Sequence, residues 1–134
     1  MSVWSVAGRL ALFSTTALAA VVLAGCGAEY DHTDITSIHA PPKPLDGRVS
    51  YARVNVSVGA IVTAHIVSYD DEHKEMAADL RSKDKNVVEV TGVVSPGDYA
   101  FLGLRAGQTE VEVLADGHLV LILTVVVTDQ PPLP

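Results

Sequence analysis

The chain is poor in cysteine and in aromatic residues. Its only cysteine is Cys26, so a disulfide within the chain and a thiolate metal cluster are excluded, and a folded part must rely on its apolar core. Aromatic residues make up 5% of the sequence, and the one tryptophan, Trp4, lies near the N-terminus. This is poor material for a surface that binds sugars or bases by stacking.

Positive charge is also scarce. The sequence has 9 Lys and Arg against 16 Asp and Glu. Without residues 1–25, which contain only Arg9, the count is 8 basic and 16 acidic residues and the net charge is −8 (8 − 16). An acidic chain is unsuited to nucleic acid or to direct docking on anionic lipid, so we expect no nucleic-acid partner.

The N-terminus has the pattern expected of a secretory leader. Residues 1–9 carry one charged side chain, Arg9, and residues 10–23 are uncharged and close on small residues. A charged start, an apolar run and small residues at the end are typical of a signal peptide, which we place at residues 1–25. An uncleaved anchor is the alternative, because residues 10–28 are 19 uncharged residues, near the ~20 needed to cross a bilayer. Both readings leave the rest of the chain outside the cytoplasm.

The apolar run ends in the sequence Leu23-Ala24-Gly25-Cys26. This segment resembles the lipobox of bacterial lipoproteins. The resemblance implies cleavage between Gly25 and Cys26, a diacylglycerol thioether on the Cys26 sulfur, and a fatty acid such as palmitate on the new amine. It therefore implies a membrane partner reached through a covalent lipid and a cell-envelope location, at the outer membrane in a Gram-negative organism. No other cofactor is expected.

Residues 26–48 show little periodicity and contain Pro41, Pro42 and Pro44. Proline cannot donate to a central strand ladder, so this segment is predicted to be an extended tether. A short edge strand over Thr33–His39 is an open alternative.

Residues 49–130 are predicted to form a β-sandwich, followed by a tail at residues 131–134. Polar and apolar residues alternate over Arg53–Val58, and Ala60–Val67 is expected to bury Val62, Ala64 and Ile66 while Thr63 and His65 face outward. The Ser95–Asp98 and Asp116-Gly117 segments are strong turn signals. About seven antiparallel strands are expected, with a helix over Asp71–Leu80 as an alternative to the third.

A resemblance to a known family rests on four segments of this region: Val58-Gly59, Leu80–Val90, Leu104–Val113 and Leu123–Thr128. Together they resemble the bacterial Ig-like domains of group 2. The resemblance implies an Ig-like sandwich and a role as an extracellular adhesion or spacer module.

The last hairpin suggests a contact surface. If Asp116-Gly117 forms a two-residue turn, Leu119, Leu121 and Leu123 lie on the outer face, and a contiguous apolar stripe of this kind marks an interface. A bulge near the turn would shift the register by one residue and bury the leucines instead.

Catalytic and metal-binding patterns are weak. The five histidines lack the spacing of a zinc enzyme, and the acidic segment with Asp70, Asp71 and His73 lacks a calcium-loop pattern, so these three residues are only weak metal candidates. No nucleophile motif is present, so we expect no enzyme.

The leading hypothesis is a lipid-anchored envelope module for contact with an envelope or surface protein. The alternative is a lipoprotein that binds a small ligand, calcium or zinc.

Overall fold

The computed structural model describes residues 29–131 of the chain. The predicted signal peptide, the predicted cleavage and lipidation site at Gly25 and Cys26, and residues 132–134 lie outside the described residues. Over 29–131, no helix is long and apolar enough to cross a bilayer.

The described residues form ten strands. In chain order they are β1 (Tyr30–His39), β2 (Gly47–Ser50), β3 (Arg53–Ser57), β4 (Ile61–Asp70), β5 (Glu75–Met76), β6 (Ala78–Ser82), β7 (Val88–Gly92), β8 (Asp98–Gly103), β9 (Gly107–Ala115) and β10 (His118–Thr128).

The strands form two five-stranded sheets packed face to face. In the first sheet the order is β1-β4-β8-β7, with β5 paired to β4; in the second it is β2-β3-β10-β9-β6. The predicted all-β sandwich is confirmed. Residues 29–131 contain ten strands where about seven antiparallel strands were expected, and β3 runs parallel to β10. A parallel pair joins strands that are distant in sequence, so no turn motif in the sequence predicts the pairing of β3 with β10.

The core lies between the two sheets and is almost entirely aliphatic. Its fully buried side chains include Phe101, Ile66 and Leu123. Val62, Ala64 and Ile66 are buried as predicted, and their neighbours Thr63 and His65 are half-exposed.

The segment predicted as a tether is part of the sandwich. Strand β1 pairs antiparallel with β4, so that Ile35 lies opposite Ile66 and Thr33 opposite Ser68. The buried Thr33 and Ser68 hydroxyls are 2.8 Å apart and hydrogen-bond to each other. The prediction of a tether over 26–48 is therefore wrong for residues 30–39 and 47–48, and the alternative of an edge strand holds over a longer range. The sequence pattern did not indicate β1 because its inward positions include the Thr33 hydroxyl, whose buried partner Ser68 lies 35 residues away.

The third predicted strand is divided between the two sheets. β5 belongs to the first sheet and β6 to the second, so the chain crosses over at Ala77. The Ala77 N–H donates to a carboxylate oxygen of Asp116 at 3.0 Å, and its carbonyl accepts the Asp116 N–H at 2.8 Å. The alternative helix over 71–80 does not form.

Both predicted turns are present. In the first, Gly97 has φ +84° and the Asp98 N–H donates to the Ser95 carbonyl at 3.1 Å. In the second, Asp116 and Gly117 have φ +48° and +81°, the positive values that this two-residue hairpin turn requires.

Candidate functional site

The β9–β10 hairpin contains a bulge that changes the face of its leucines. Leu119 lies opposite Leu114, but the next pair is Leu121 opposite Val113, so Val120 is the additional residue. Beyond it the register is shifted by one position, and Leu123 lies opposite Val111 in the core. A shift of one residue exchanges the two faces of a strand.

The predicted interface of three outward leucines is therefore wrong. Leu123 is fully buried, Leu121 packs against the core, and only Leu119 is exposed, at 52%. The outward position after the bulge belongs to Ile122, which is 39% exposed and lies opposite Glu112. The alternative prediction, in which a bulge near the turn shifts the register and buries leucines, is the one that the structure confirms.

The acidic segment forms a tight connection between β4 and β5. Asp70 is 5% exposed, and one of its carboxylate oxygens accepts the N–H groups of Glu72 and Lys74, both at 2.9 Å. The Asp70 N–H donates to the Lys74 carbonyl at 2.9 Å, and His73 has φ +62°. Asp70 thus stabilises the turn by satisfying backbone donors that would otherwise lack partners.

The three weak metal candidates do not converge. The Asp70 carboxylate is engaged by the turn, and Asp71 and His73 are exposed. Among the residues the structure describes, no group of three or more His, Cys, Asp or Glu side chains is placed to hold a metal ion.

Two histidines make local contacts with carboxylates. The His32 Nδ1 is 2.7 Å from an Asp31 oxygen, and its ring stacks on Tyr69 with the centroids 5.0 Å apart. The His65 Nδ1 is 2.5 Å from an Asp98 oxygen, which ties β4 to the first residue of β8. The sequence placed His65 outward but gave no sign of its carboxylate partner, which is 33 residues away.

The two sheets differ in charge, a feature that the order of residues along the chain does not indicate. One side of the sandwich consists of the first sheet together with its β4–β5 connection and residue 29. It contains nine acidic residues and one lysine, a net charge of −8 (1 − 9). The remaining described residues contain seven acidic and seven basic side chains, a net charge of 0 (7 − 7). All of the net charge therefore lies on one side of the sandwich.

Two side chains have raised pKa values. The Lys83 amine is 2.7 Å from a Glu110 oxygen on the outer face of the second sheet, and this hydrogen-bonded ion pair raises the pKa of Lys83. Burial, with a smaller contribution from the Asp79 carboxylate, raises the pKa of Tyr99. The Tyr99 hydroxyl donates to the Ala78 carbonyl at 3.3 Å and so links the two sheets.

A groove of about 410 Å³ lies between β5, the start of β6 and the Ser95–Asp98 turn. Its walls include the apolar side chains of Ile66, Met76 and Pro96. The volume falls within the ~300–1,000 Å³ range of small-molecule sites. Glu75 supplies the one carboxylate among its lining residues.

No protein-family model matches the sequence, and no curated protein matches it. Among solved structures the chain is similar to "Structure of surface layer protein SbsC, domains 1-6", with a TM-score of 0.56 and 14% identity over 79% of this chain and 14% of that chain. It also matches "Crystal structure of the S-layer protein SbsC domains 4 and 5", with a TM-score of 0.49 and 16% identity over 71% of this chain and 54% of that chain. The chain thus spans a small part of the first of these structures, and this likeness shows the fold alone.

Proposed function

We propose that this protein is a non-catalytic, lipid-anchored module of the cell envelope that acts by contact with another envelope or surface protein. The observation that carries the proposal is the Leu23–Cys26 lipobox at the end of an uncharged run, followed within a few residues by a self-contained β-sandwich. The fold likeness to part of a surface layer protein and the resemblance to bacterial Ig-like domains both agree with an extracytoplasmic module.

The anchor is proposed to be the lipid on Cys26. One acyl chain holds a protein only weakly, whereas two or three make the attachment stable, so a diacylglycerol with an additional fatty acid suffices without a membrane-spanning helix. If the organism is Gram-negative, Gly27 at the position after the lipidated cysteine favours the outer membrane, because lipoproteins retained at the inner membrane commonly have Asp there.

The test of the anchor is the Cys26→Ser variant. Labelling of growing cells with a fatty-acid analogue should mark the wild-type protein and not the variant, and the variant should keep the length of the precursor. A variant that still matured to the wild-type size and stayed on the membrane would contradict the proposal.

The groove beside β5 favours one rival function, the binding of a small ligand. Calorimetry on residues 27–134 with a panel of small molecules separates the two functions. Sub-micromolar binding of any of these would favour the rival, whereas cross-linking of the intact protein to one envelope protein would favour the contact role.

A further inference from the structure

The sandwich begins almost immediately after the proposed lipidation site. The carbonyl oxygen of Glu29 accepts the N–H of Asp71 at 2.8 Å, so residue 29 is already held on the β4–β5 connection. Only Gly27 and Ala28 separate Glu29 from Cys26. Three Cα–Cα steps of ~3.8 Å span at most ~11 Å, so the lipidated residue stays within that distance of this end of the sandwich.

A connection of this length cannot hold the sandwich away from the bilayer. The polar headgroup layer is roughly 5–8 Å thick on each side of the hydrocarbon core. A lipid inserted through Cys26 therefore keeps residues 70–75 at or beside the headgroups. The opposite end of the ten-residue strand β4 is about 30 Å away, at ~3.3 Å per residue.

The loop between β7 and β8, residues 93–97, lies at the same end. The Gly97 carbonyl accepts the Ile66 N–H at 2.7 Å, beyond the point where the paired residues of β4 and β8 end at His65. Pro96 and Gly97 also line the groove whose other wall includes Met76 of β5.

This loop exposes apolar side chains without any charge. Residues 90–97 contain no Asp, Glu, Lys or Arg, in a chain where the adjoining residues on both sides are acidic. Val94 is fully exposed (103%) and Val93 is 42% exposed. Valine is not a residue that turn geometry favours, so conformation does not explain two of them at a loop tip.

We propose that Val93 and Val94 contact the bilayer that holds the anchor, at the boundary between headgroups and acyl chains. Apolar side chains at an interface add to the binding provided by an acyl anchor. The exposed carboxylates of Asp71, Glu72 and Glu75 at the same end fit a zwitterionic headgroup layer and are repelled by an anionic one. The proposal rests on the lipidation of Cys26 under the proposed function.

The test places a polarity-sensitive fluorophore at either end of the sandwich. Because the proposed diacylglycerol thioether occupies the Cys26 sulfur, an introduced cysteine is the only free thiol, and nitrobenzoxadiazole can be attached at Val94→Cys or at Ala106→Cys. Ala106 is exposed in the connection between β8 and β9, at the end of the sandwich remote from residue 70. The lipidated proteins are then inserted into preformed phosphatidylcholine vesicles.

The label at residue 94 should shift to the blue and be quenched by lipids with spin labels near the headgroup, at least threefold more than the label at residue 106. An insertion of ten Gly and Ser residues between Ala28 and Glu29 should reduce that difference. Equal responses at the two positions would overturn the proposal, and so would a residue 94 label that changes only when envelope proteins are added.

Mass spectrometry of the same samples tests the lipidation of Cys26 separately from the membrane contact of Val94. A protein without the mass of the lipid on Cys26 would contradict the proposed function. A lipidated protein whose residue 94 label stays in water would contradict the membrane contact alone.

Discussion

The two sheets share one core, but they bury different chemistry. The inward side chains of the second sheet are mainly aliphatic, as in the Val54–Val125 and Val56–Val127 pairs of β3 and β10. Its buried polar residue, Ser57 at the end of β3, accepts the Asp46 N–H at 2.7 Å. The first sheet buries the core's one phenylalanine, Phe101, and also the polar groups of Thr33, Ser68 and Asp70 toward the β4–β5 end. The second sheet thus depends mainly on apolar burial, whereas the first buries three polar residues and depends more on hydrogen bonds. Substitutions in the two sheets should therefore differ in cost.

The largest effect is expected at Phe101, the largest fully buried side chain. Phe101→Ala should lower the free energy of unfolding by about 3–5 kcal/mol, because it removes apolar contacts and leaves a cavity. Urea unfolding followed by circular dichroism measures the change. Phe101→Leu is the control and should cost less than half as much. A loss below about 1 kcal/mol for Phe101→Ala would contradict its central place in the core.

A matched pair in the second sheet tests the bulge. Leu123→Ala should cost about 2–5 kcal/mol because the side chain is buried. Leu119→Ala, four residues earlier in the same strand, should change stability by no more than about 0.5 kcal/mol because the side chain is exposed. The same unfolding experiment applies. Similar small losses at both positions would instead support the unbulged register with outward leucines.

The polar end of the first sheet is tested at Asp70. Asp70→Ala removes the acceptor of two backbone N–H groups and should cost about 1–3 kcal/mol. Asp70→Asn, which retains one oxygen acceptor, should recover part of this loss. Asp71→Ala is the neighbouring control and should stay within about 0.5 kcal/mol, since its carboxylate is exposed. Equal losses at positions 70 and 71 would show that the buried carboxylate does not organise the turn.

The smallest effect concerns Tyr99, which links the sheets. Burial raises the pKa of its phenol in the folded protein, so the unfolded chain loses the proton first as the pH rises. Stability should therefore be maintained below about pH 10 and fall above it. Absorbance titration of the tyrosinate band should show one late-titrating tyrosine that is missing in Tyr99→Phe. If all four tyrosines of the wild-type protein titrated together near the ordinary value, the buried environment of Tyr99 would be refuted.

Local chemistry was enough to predict several elements. The Asp116-Gly117 turn could be predicted because few residue pairs adopt positive φ at two successive positions, and Asp-Gly is one of them. The alternation around Val62, Ala64 and Ile66 specified the inward face of β4, because a half-buried strand has a period of two.

Long-range chemistry could not be predicted in the same way. The bulge at Val120 lies in an uninterrupted apolar run, where either neighbour could face inward, and only packing against the core decides the register. The strand β1 is stabilised by the Thr33–Ser68 contact, which joins two polar residues with no local pattern. The segregation of charge likewise appears only when the strands are assigned to sheets.

The two ends of the sandwich have a mechanical consequence. The chain enters at Tyr30, opposite Asp70, and leaves at Thr128, whose carbonyl accepts the Val58 N–H at the other end. A pull between the bilayer and anything held near Thr128 would therefore act along the strands. In that direction the ladders between strands are sheared, with many hydrogen bonds loaded together, and are not peeled apart one bond at a time.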